Sequence, residues 1–297
     1  MTAADVVMSA AREAQPAAAP RSVLVGLIGS GIQASRTPAM HEREGVAHGL
    51  SYVYKIIDLE TLGLTADALP ELVTAARRFG FAGLNITHPC KQAVIPLLDG
   101  LSPDARALGA VNTVVFGRDG RAVGHNTDWS GFAEGFRRGL PDARLERVVQ
   151  LGAGGAGAAV AHAALTLGTK QLMIFDIDPR RSTELAKNLG PRASAPGDLA
   201  AAMAAADGLI HCTPTGMAKL PGMPLDGKLL QARHWVAEIV YFPMETELLR
   251  VARTKGCRTL DGGGMAVFQA VGAFRLFTGI EPDAERMMRH FLSMDAG

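Results

Sequence analysis

Aromatic residues make up only 5% of this 297-residue chain, cysteine occurs three times, and acidic and basic side chains almost cancel. Each scarcity excludes something. Cys90, Cys212 and Cys257 are odd in number and lack metal-ligand spacing, which fits free thiols in a reducing cytoplasm, so neither a disulfide nor a bound metal is expected. Thirty basic against 29 acidic residues leave a formal charge of +1, so no bulk field draws the chain to nucleic acid or to an anionic membrane. Long apolar runs are missing as well. Residues 156–167 are apolar and helix-like but too short to span a bilayer, and His162 interrupts them. The alanine- and proline-rich start lacks the basic opening and continuous apolar core of an export signal. The expectations are a flexible tail over 1–21 and a cytoplasmic protein.

What is abundant is apolar side chain, at 48%, and glycine, at 34 residues. That apolar content supports two cores, and the length suggests two domains. From residue 22 strand-like and helix-like runs alternate: strands at 23–28, 52–57 and 81–86, helices at 39–48, 69–79 and 91–98. This alternation predicts an α/β sandwich with a largely parallel sheet. Asp119-Gly120 between the runs 111–116 and 121–124 is a hairpin signal, which predicts one antiparallel pair at the sheet edge.

A helix at 128–138 leads into the most specific stretch, Leu151-Gly-Ala-Gly-Gly-Ala-Gly157, between a strand at 148–151 and a helix at 155–168. Gly152, Gly154 and Gly157 have the G-x-G-x-x-G spacing that lets a chain turn tightly after a strand and bring helix N-terminal amides to a pyrophosphate. Asp176 follows about 20 residues on, at the end of the strand 171–175, where such folds place the acid that binds a ribose diol. A helix at 180–189 and strands at 208–212, 235–239 and 258–260 extend the unit, and a buried helix closes the chain at 262–277. The expectation is a Rossmann NAD(P)-binding domain over 127–261, a substrate-binding α/β domain over 22–126, and a C-terminal helical segment, 262–297, packing on the latter.

Three polar clusters in the first domain sit beside glycine and proline at strand ends: Ser35-Arg-Thr-Pro38, Asn85-Ile-Thr-His-Pro-Cys-Lys91, and Asn112-Thr113 with Asn126-Thr-Asp128. Their short side chains suit a polyol or a carboxylate, and Lys91 with Asp128 forms a charge pair suited to proton transfer. Any one of them alone reads more readily as a turn or cap residue. His41, His88 and His125 read as scaffold, and Cys90 as packing.

Taken together these motifs resemble the shikimate dehydrogenase family. The resemblance is carried by Gly29 to His41, Gly83 to Lys91, Gly109-Ala-Val-Asn-Thr113, Gly124-His-Asn-Thr-Asp128, Thr213 to Met217 and Met265 to Gln269, in the family's order. Ser-Arg-Thr-Pro-Ala-Met-His41 and Ala-Phe-Arg-Leu-Phe-Thr-Gly279 are most similar to its NAD-dependent quinate/shikimate branch. The resemblance implies an oxidoreductase interconverting shikimate and 3-dehydroshikimate, active as a monomer or homodimer on a small-molecule substrate. It implies that Ser35 and Thr37 bind the carboxylate, that Asn85, Thr87, Asn112, Asp128 and Gln269 surround the ring hydroxyls, and that Lys91, paired with Asp128, is catalytic. A neighbouring carboxylate favours the ammonium form, so proton acceptor and oriented donor both stay open for Lys91. Tyr241 is placed near substrate or nicotinamide by the resemblance, whereas its own surroundings in sequence suit cleft and core equally.

For the cofactor, the implied contacts are the turn Gly152, Ala153, Gly154, Gly155, Ala156 and Gly157, then Asp176, Ile177 and Arg181, and also Thr213, Pro214, Met217, Val240, Gly262 and Met265. Asp176 opposes the 2′-phosphate of NADP, and Ile177 stands where NADP-using members tend to carry arginine, so NAD is expected over NADP, with Arg180 and Arg181 as the residues able to reverse that preference. Thr37 replaces a serine common in the family, and Gly262-Gly-Gly264 reads as extra room for a modified substrate. Quinate or an amino analogue is therefore the alternative substrate. A non-catalytic metabolite sensor is opposed by the retained Lys91 and Asp128, and a methylenetetrahydrofolate-type dehydrogenase by polar clusters suited to a small acid rather than a pterin.

Overall fold

The architecture follows from two different strand patterns. In the computed structural model, which describes residues 21–294, six strands form each of two sheets. The first contains β1 (Ser22–Gly29), β2 (Ser51–Asp58), β3 (Gly83–Ile86), β4 (Gly100–Leu101), β5 (Thr113–Phe116) and β6 (Ala122–His125), in the order β2-β1-β3-β5-β6-β4. The second contains β7 (Arg147–Leu151), β8 (Gln171–Phe175), β9 (Ala193–Ser194), β10 (Gly208–His211), β11 (Trp235–Glu238) and β12 (Arg258–Leu260), in the order β12-β11-β10-β7-β8-β9. All pairings of the second sheet are parallel, and its order is that of a doubly wound dinucleotide fold, with its switch point between β7 and β10.

The helices are α1 (Thr37–Ala47), α2 (Leu59–Leu62), α3 (Leu69–Arg78), α4 (Cys90–Ala93), α5 (Pro103–Leu108), α6 (Asp128–Gly139), α7 (Gly155–Thr166), α8 (Pro179–Leu189), α9 (Leu199–Ala205), α10 (Glu247–Thr254), α11 (Gly263–Thr278) and α12 (Ala284–Ser293). Helices α6 to α10 cover both faces of the second sheet, which is why its strands are apolar at consecutive positions rather than at alternate ones. Val148, Leu172, Ile174 and Ile210 point into one cluster, and Val149, Met173, Leu209 and Val236 into the other. Burying each such side chain is worth about 1.5–3 kcal/mol.

Two expectations are corrected. The antiparallel pair does not end the first sheet: β5 runs antiparallel to both β3 and β6, and β4, too short to show a sequence period, pairs parallel to β6 outside it. The helix expected over 91–98 is broken into α4 and a 3-10 turn at Ile95–Leu97, because Pro96 has no amide hydrogen to continue the ladder. The expected tail lies outside the described residues apart from Arg21, whose Nη1 donates to the Thr278 carbonyl at 3.1 Å.

The last helices return to the first sheet: α11 packs on α6, α1, β1 and β5, and α12 on α1. The approach of α6 and α11 is close enough to require glycine. A Cβ on Gly131 would meet the Gln269 amide nitrogen at 2.6 Å, so any larger residue would drive the two helices apart. Among the described residues no helix is long and apolar enough to cross a membrane. The three cysteines are buried and free.

Candidate active site

Substrate-side residues sit at the carboxyl ends of β1 and β3 and at the start of α6. The loop after β1 is held from beneath by Asp58, the last residue of β2. Its carboxylate accepts from the Gly31 amide at 2.8 Å, the Ile32 amide at 3.1 Å, Gln33 Nε2 at 3.2 Å and the Glu60 amide at 3.1 Å. Burial alone would raise its pKa, but these donors, led by Gly31, hold it below the usual carboxylate value. Ser35 and Thr37 follow on this anchored loop, where Ser35 Oγ accepts from the Thr37 amide at 3.4 Å.

Lys91 lies in α4 and Asp128 opens α6, where the positive end of the helix dipole favours a carboxylate. Lys91 Nζ donates to Asp128 Oδ2 at 2.6 Å, with the two side chains 18% and 9% exposed. The lysine backbone is fixed next to its partners, since its carbonyl accepts from the Val111 amide at 2.9 Å. Asn112 Nδ2 donates to the other carboxylate oxygen of Asp128 at 2.9 Å and to Thr127 Oγ1 at 2.9 Å, while its Oδ1 accepts from the Thr127 amide at 2.8 Å. Asn85 Nδ2 is engaged by the Asn112 carbonyl at 3.2 Å and Thr113 Oγ1 at 3.0 Å, and its Oδ1 accepts from the Tyr54 hydroxyl at 2.7 Å. Both hydrogens of each amide thus have protein partners.

The sequence-predicted set is brought together unevenly. Lys91, Asp128, Asn112 and Asn85 form one bonded cluster, and Thr87 joins β3 to β1 by donating its amide to the Ile28 carbonyl at 2.9 Å. Tyr241, in the loop after β11, is 38% exposed. Burial raises its pKa, Arg36 pulls it down and Asp128 pushes it up, which places the phenol within electrostatic reach of both. Its ring lies 6.4 Å from that of Phe291. Gln269 lies on α11 over the second turn of α6, and its Nε2 donates to the Ala266 carbonyl of its own helix at 3.0 Å.

On the nucleotide side, Gly152 has φ +102°, a left-handed conformation, and a Cβ there would meet the Cys212 carbonyl oxygen at 2.6 Å. The turn after β7 therefore abuts the loop after β10 at the switch point. A Cβ on Gly154 would meet nothing within 4 Å, and one on Gly155 only Lys91 Cδ at 4.0 Å. These two glycines leave backbone open at the N-terminus of α7, facing the lysine, the cradle a pyrophosphate needs. Asp176 closes the far side of the turn, accepting from the Ala153 amide at 2.7 Å and the Asp178 amide at 2.9 Å. The Ala153 amide is therefore already engaged by Asp176. Arg180 pairs with Asp178 at 2.9 Å, and Arg181 and the fully exposed Ile177 sit beside them at the groove.

The glycine triplet has a different cause from the one expected. A Cβ on Gly262 would meet the carbonyls of Ile239 and Val240 at 2.5 Å, one on Gly263 the Met244 methyl at 2.8 Å, and one on Gly264 Gly135 Cα at 3.3 Å. Close packing of α11 fills the room that the sequence suggested for substrate. Met265 packs on the core beneath, while Met217 is half-exposed beside Pro214 in the loop after β10.

Several residues under the site escaped the sequence reading. Gln150, fully buried in β7, donates Nε2 to the Gly152 and Gly157 carbonyls at 2.9 and 2.8 Å, tying the turn shut. Its signal was one polar residue inside an otherwise apolar strand. His211 and Glu238, register partners at the ends of β10 and β11, are bonded at 2.9 Å. Through them Thr213 Oγ1, the Val240 amide and Thr246 Oγ1 form one network joining two loops expected to contact the cofactor.

Residues 27–114 match the family described as the shikimate dehydrogenase substrate binding domain, and residues 262–290 match the shikimate 5′-dehydrogenase C-terminal domain. A shikimate dehydrogenase (NADP(+)) of Streptomyces avermitilis is 62% identical, over 90% of this chain and 94% of its own length. A quinate/shikimate dehydrogenase (NAD(+)) of Corynebacterium efficiens is 54% identical, over 92% and 99%. Among solved structures, the quinate dehydrogenase of Corynebacterium glutamicum in complex with NAD superposes with a TM-score of 0.86 at 50% identity, over 92% of this chain and 99% of that one.

Proposed function

The chain belongs to the shikimate dehydrogenase family, and from that premise we propose that it interconverts shikimate and 3-dehydroshikimate with NAD, using Lys91 and Asp128 as the proton-transfer pair. It is an oxidoreductase of the shikimate/quinate dehydrogenase kind. The observation that carries the finer reading is the juxtaposition of the Lys91–Asp128 pair, 2.6 Å apart, with the open glycine backbone at Gly155.

In this reading residues 22–126 form the substrate domain, 127–261 the nucleotide domain, and 262–297 a helical segment returning to the first. Ser35 and Thr37 hold the substrate carboxylate. Thr87, Asn85 Oδ1, Gln269 and Tyr241 surround the ring hydroxyls, and Asn112, whose two amide hydrogens are held by Thr127 and Asp128, orients Asp128 beside them. The Gly152–Gly157 turn and the N-terminus of α7 hold the pyrophosphate, and Asp176 and Ile177 the adenosine ribose, with Arg181 at the rim. Thr213, Pro214, Met217, Val240, Gly262 and Met265 border the nicotinamide.

When bound, the nicotinamide supplies the hydride acceptor for alcohol oxidation. The chain's task is the hydroxyl proton, which leaves the substrate oxygen as the hydride leaves carbon and is taken up by the Lys91–Asp128 pair. The same proton returns to the carbonyl oxygen in reduction.

NAD is favoured because a 2′-phosphate would bring negative charge against the Asp176 carboxylate, which the Ala153 and Asp178 amides hold at the end of β8. Of the two arginines nearby, Arg180 is paired with Asp178. Assaying shikimate and quinate, each with NAD and NADP, tests the reading. The expected result is a preference for NAD of at least about tenfold in kcat/KM, worth about 1.4 kcal/mol. Equal efficiency with NADP would remove Asp176 as the discriminator, and a higher kcat/KM for quinate would reverse the substrate order.

A further inference from the structure

Behind the catalytic pair runs a line of buried hydrogen bonds whose direction is fixed. The Thr127 amide can only donate, so the Asn112 atom it meets at 2.8 Å is the oxygen. The Asn112 carbonyl can only accept, so the Asn85 atom it meets at 3.2 Å is the nitrogen. With both amides oriented by backbone, every other link has one possible sense. Tyr54 donates to Asn85 Oδ1 at 2.7 Å, and Asn85 Nδ2 donates to Thr113 Oγ1 at 3.0 Å. Thr113 donates to Asn112 Oδ1 at 3.0 Å, and Asn112 Nδ2 donates to Asp128 Oδ1 at 2.9 Å. All five side chains are buried, and Asn85 and Thr113 are direct cross-strand partners of β3 and β5.

We propose that Tyr54 and Thr113 are positioning residues of this enzyme: a one-way donor chain from Tyr54 through Asn85, Thr113 and Asn112 orients and polarises Asp128, and so sets how tightly Asp128 holds the proton of Lys91. This deepens, and rests on, the reading of Lys91 and Asp128 as the proton-transfer pair.

The physical basis is cooperativity. In a low-dielectric interior each donor that is itself hydrogen-bonded at its acceptor atom becomes a stronger donor, so links pointing one way reinforce one another. The chain ends on a carboxylate, where donated bonds stabilise the charge. Shorten it and Asp128 becomes more basic, attracts the Lys91 proton more strongly, and delays its release to higher pH. Tyr54 keeps its proton throughout, because burial, with Tyr52 beside it, raises its pKa well above the ordinary tyrosine value. The charged and titratable groups around this line are few. Lys91 faces Asp128 from α4, and Tyr241 faces it from the loop after β11 with Arg36 beyond. His41 of α1 lies against the Tyr54 ring, and Glu42 of the same helix accepts the Tyr54 amide.

The test is a pH profile of kcat/KM for shikimate oxidation on a graded set of full-length variants. Thr113→Val keeps shape and cuts the chain near Asp128, and it should move the alkaline-rising limb upward by about half a pH unit, a roughly threefold loss at a fixed pH on the slope. Tyr54→Phe should move it the same way by less, with the melting temperature lowered by only a few degrees, and Thr113→Ser should restore the wild-type limb. Should Thr113→Val not fold, Tyr54→Phe decides alone. A limb that stays put in the folded variants while Lys91→Ala abolishes turnover would overturn the donor chain and leave the catalytic pair standing. If Lys91→Ala instead keeps its turnover, the pair itself is wrong and the chain falls with it.

Discussion

The substrate half and the nucleotide half of this site are built on opposite principles. Around Lys91 and Asp128 the polar groups are already bonded to protein: Asn112, Asn85 and Thr113 have their donors engaged. Around Gly154 and Gly155 the backbone is bare, and the neighbouring Ile177 is fully exposed. Proton transfer gains from groups held in orientation before substrate arrives, since reorganisation at the moment of reaction would add to the barrier. Dinucleotide binding instead needs unoccupied amides and close approach, which side chains would obstruct.

The largest effect should come from breaking the bonded half at its end. Lys91→Ala is expected to lower kcat for shikimate oxidation by about 10²–10⁴-fold with a smaller change in KM, because its interaction counts chiefly while the proton moves. Asp128→Ala should harm both parameters, as it also anchors Asn112. Steady-state kinetics showing more than about a tenth of wild-type kcat in Lys91→Ala would exclude a general acid–base role.

Next in size is an acid sensitivity of the substrate half. His41 is fully buried against Tyr52, and burial lowers its pKa to about 3. In the unfolded chain it titrates near 6.5, so the stability it contributes is complete above that value and is lost as pH falls from 6.5 toward 3. At pH 5 the loss should be about 2 kcal/mol, at about 1.36 kcal/mol per unit. Urea unfolding from pH 7 to 5 measures it, and His41→Leu should flatten the slope by close to one proton. An unchanged slope in that variant would place the acid-sensitive group elsewhere.

The open half can be sharpened by comparing two of its glycines. Gly154→Ala meets no atom within 4 Å and should fold normally while raising the KM for NAD about tenfold, the methyl standing where the phosphate approaches. Gly152→Ala combines a left-handed φ with a clash on the Cys212 carbonyl and should cost stability first, by about 1–3 kcal/mol. Equal melting temperatures for the two variants would contradict the division of roles between them.

These halves also differ in how legible they were. The glycine turn, the strand before it and Asp176 could be read from spacing because the motif is local, and strands β8 and β12 fall where the apolar pattern put them. The substrate-side residue types were equally visible as clusters. What could not be read was their wiring, because Tyr54, Asn85, Thr113 and Asp128 come from four separate segments, and only the register of β3 against β5 sets Asn85 opposite Thr113. The same holds for Gln150 and for the His211–Glu238 pair, whose meaning depends on which strands are neighbours. Gly262 to Gly264 misled for the converse reason: a glycine needed for helix packing and one leaving room for ligand look alike until the neighbouring backbone is known.

The smallest expected effect lies at Thr37, which is proposed to hold the substrate carboxylate. Its amide donates to Ser35 Oγ at 3.4 Å, so the two hydroxyl residues share one turn, and that turn is held by the Asp58 carboxylate beneath. Thr37→Ser keeps the hydroxyl and this anchoring and removes a single methyl, leaving the clamp's chemistry intact while widening it. Shikimate and quinate differ at the ring carbon that carries the carboxylate, the saturated one being the bulkier, so the methyl acts on the very position at which they diverge. Removing it should raise quinate relative to shikimate in kcat/KM by about fourfold, the equivalent of about 0.8 kcal/mol for one methyl-sized contact. Parallel kinetics on both substrates with NAD measure the ratio. Should it stay unchanged, the methyl does not touch the substrate, and selectivity would have to come from the Tyr241 or Gln269 side of the ring.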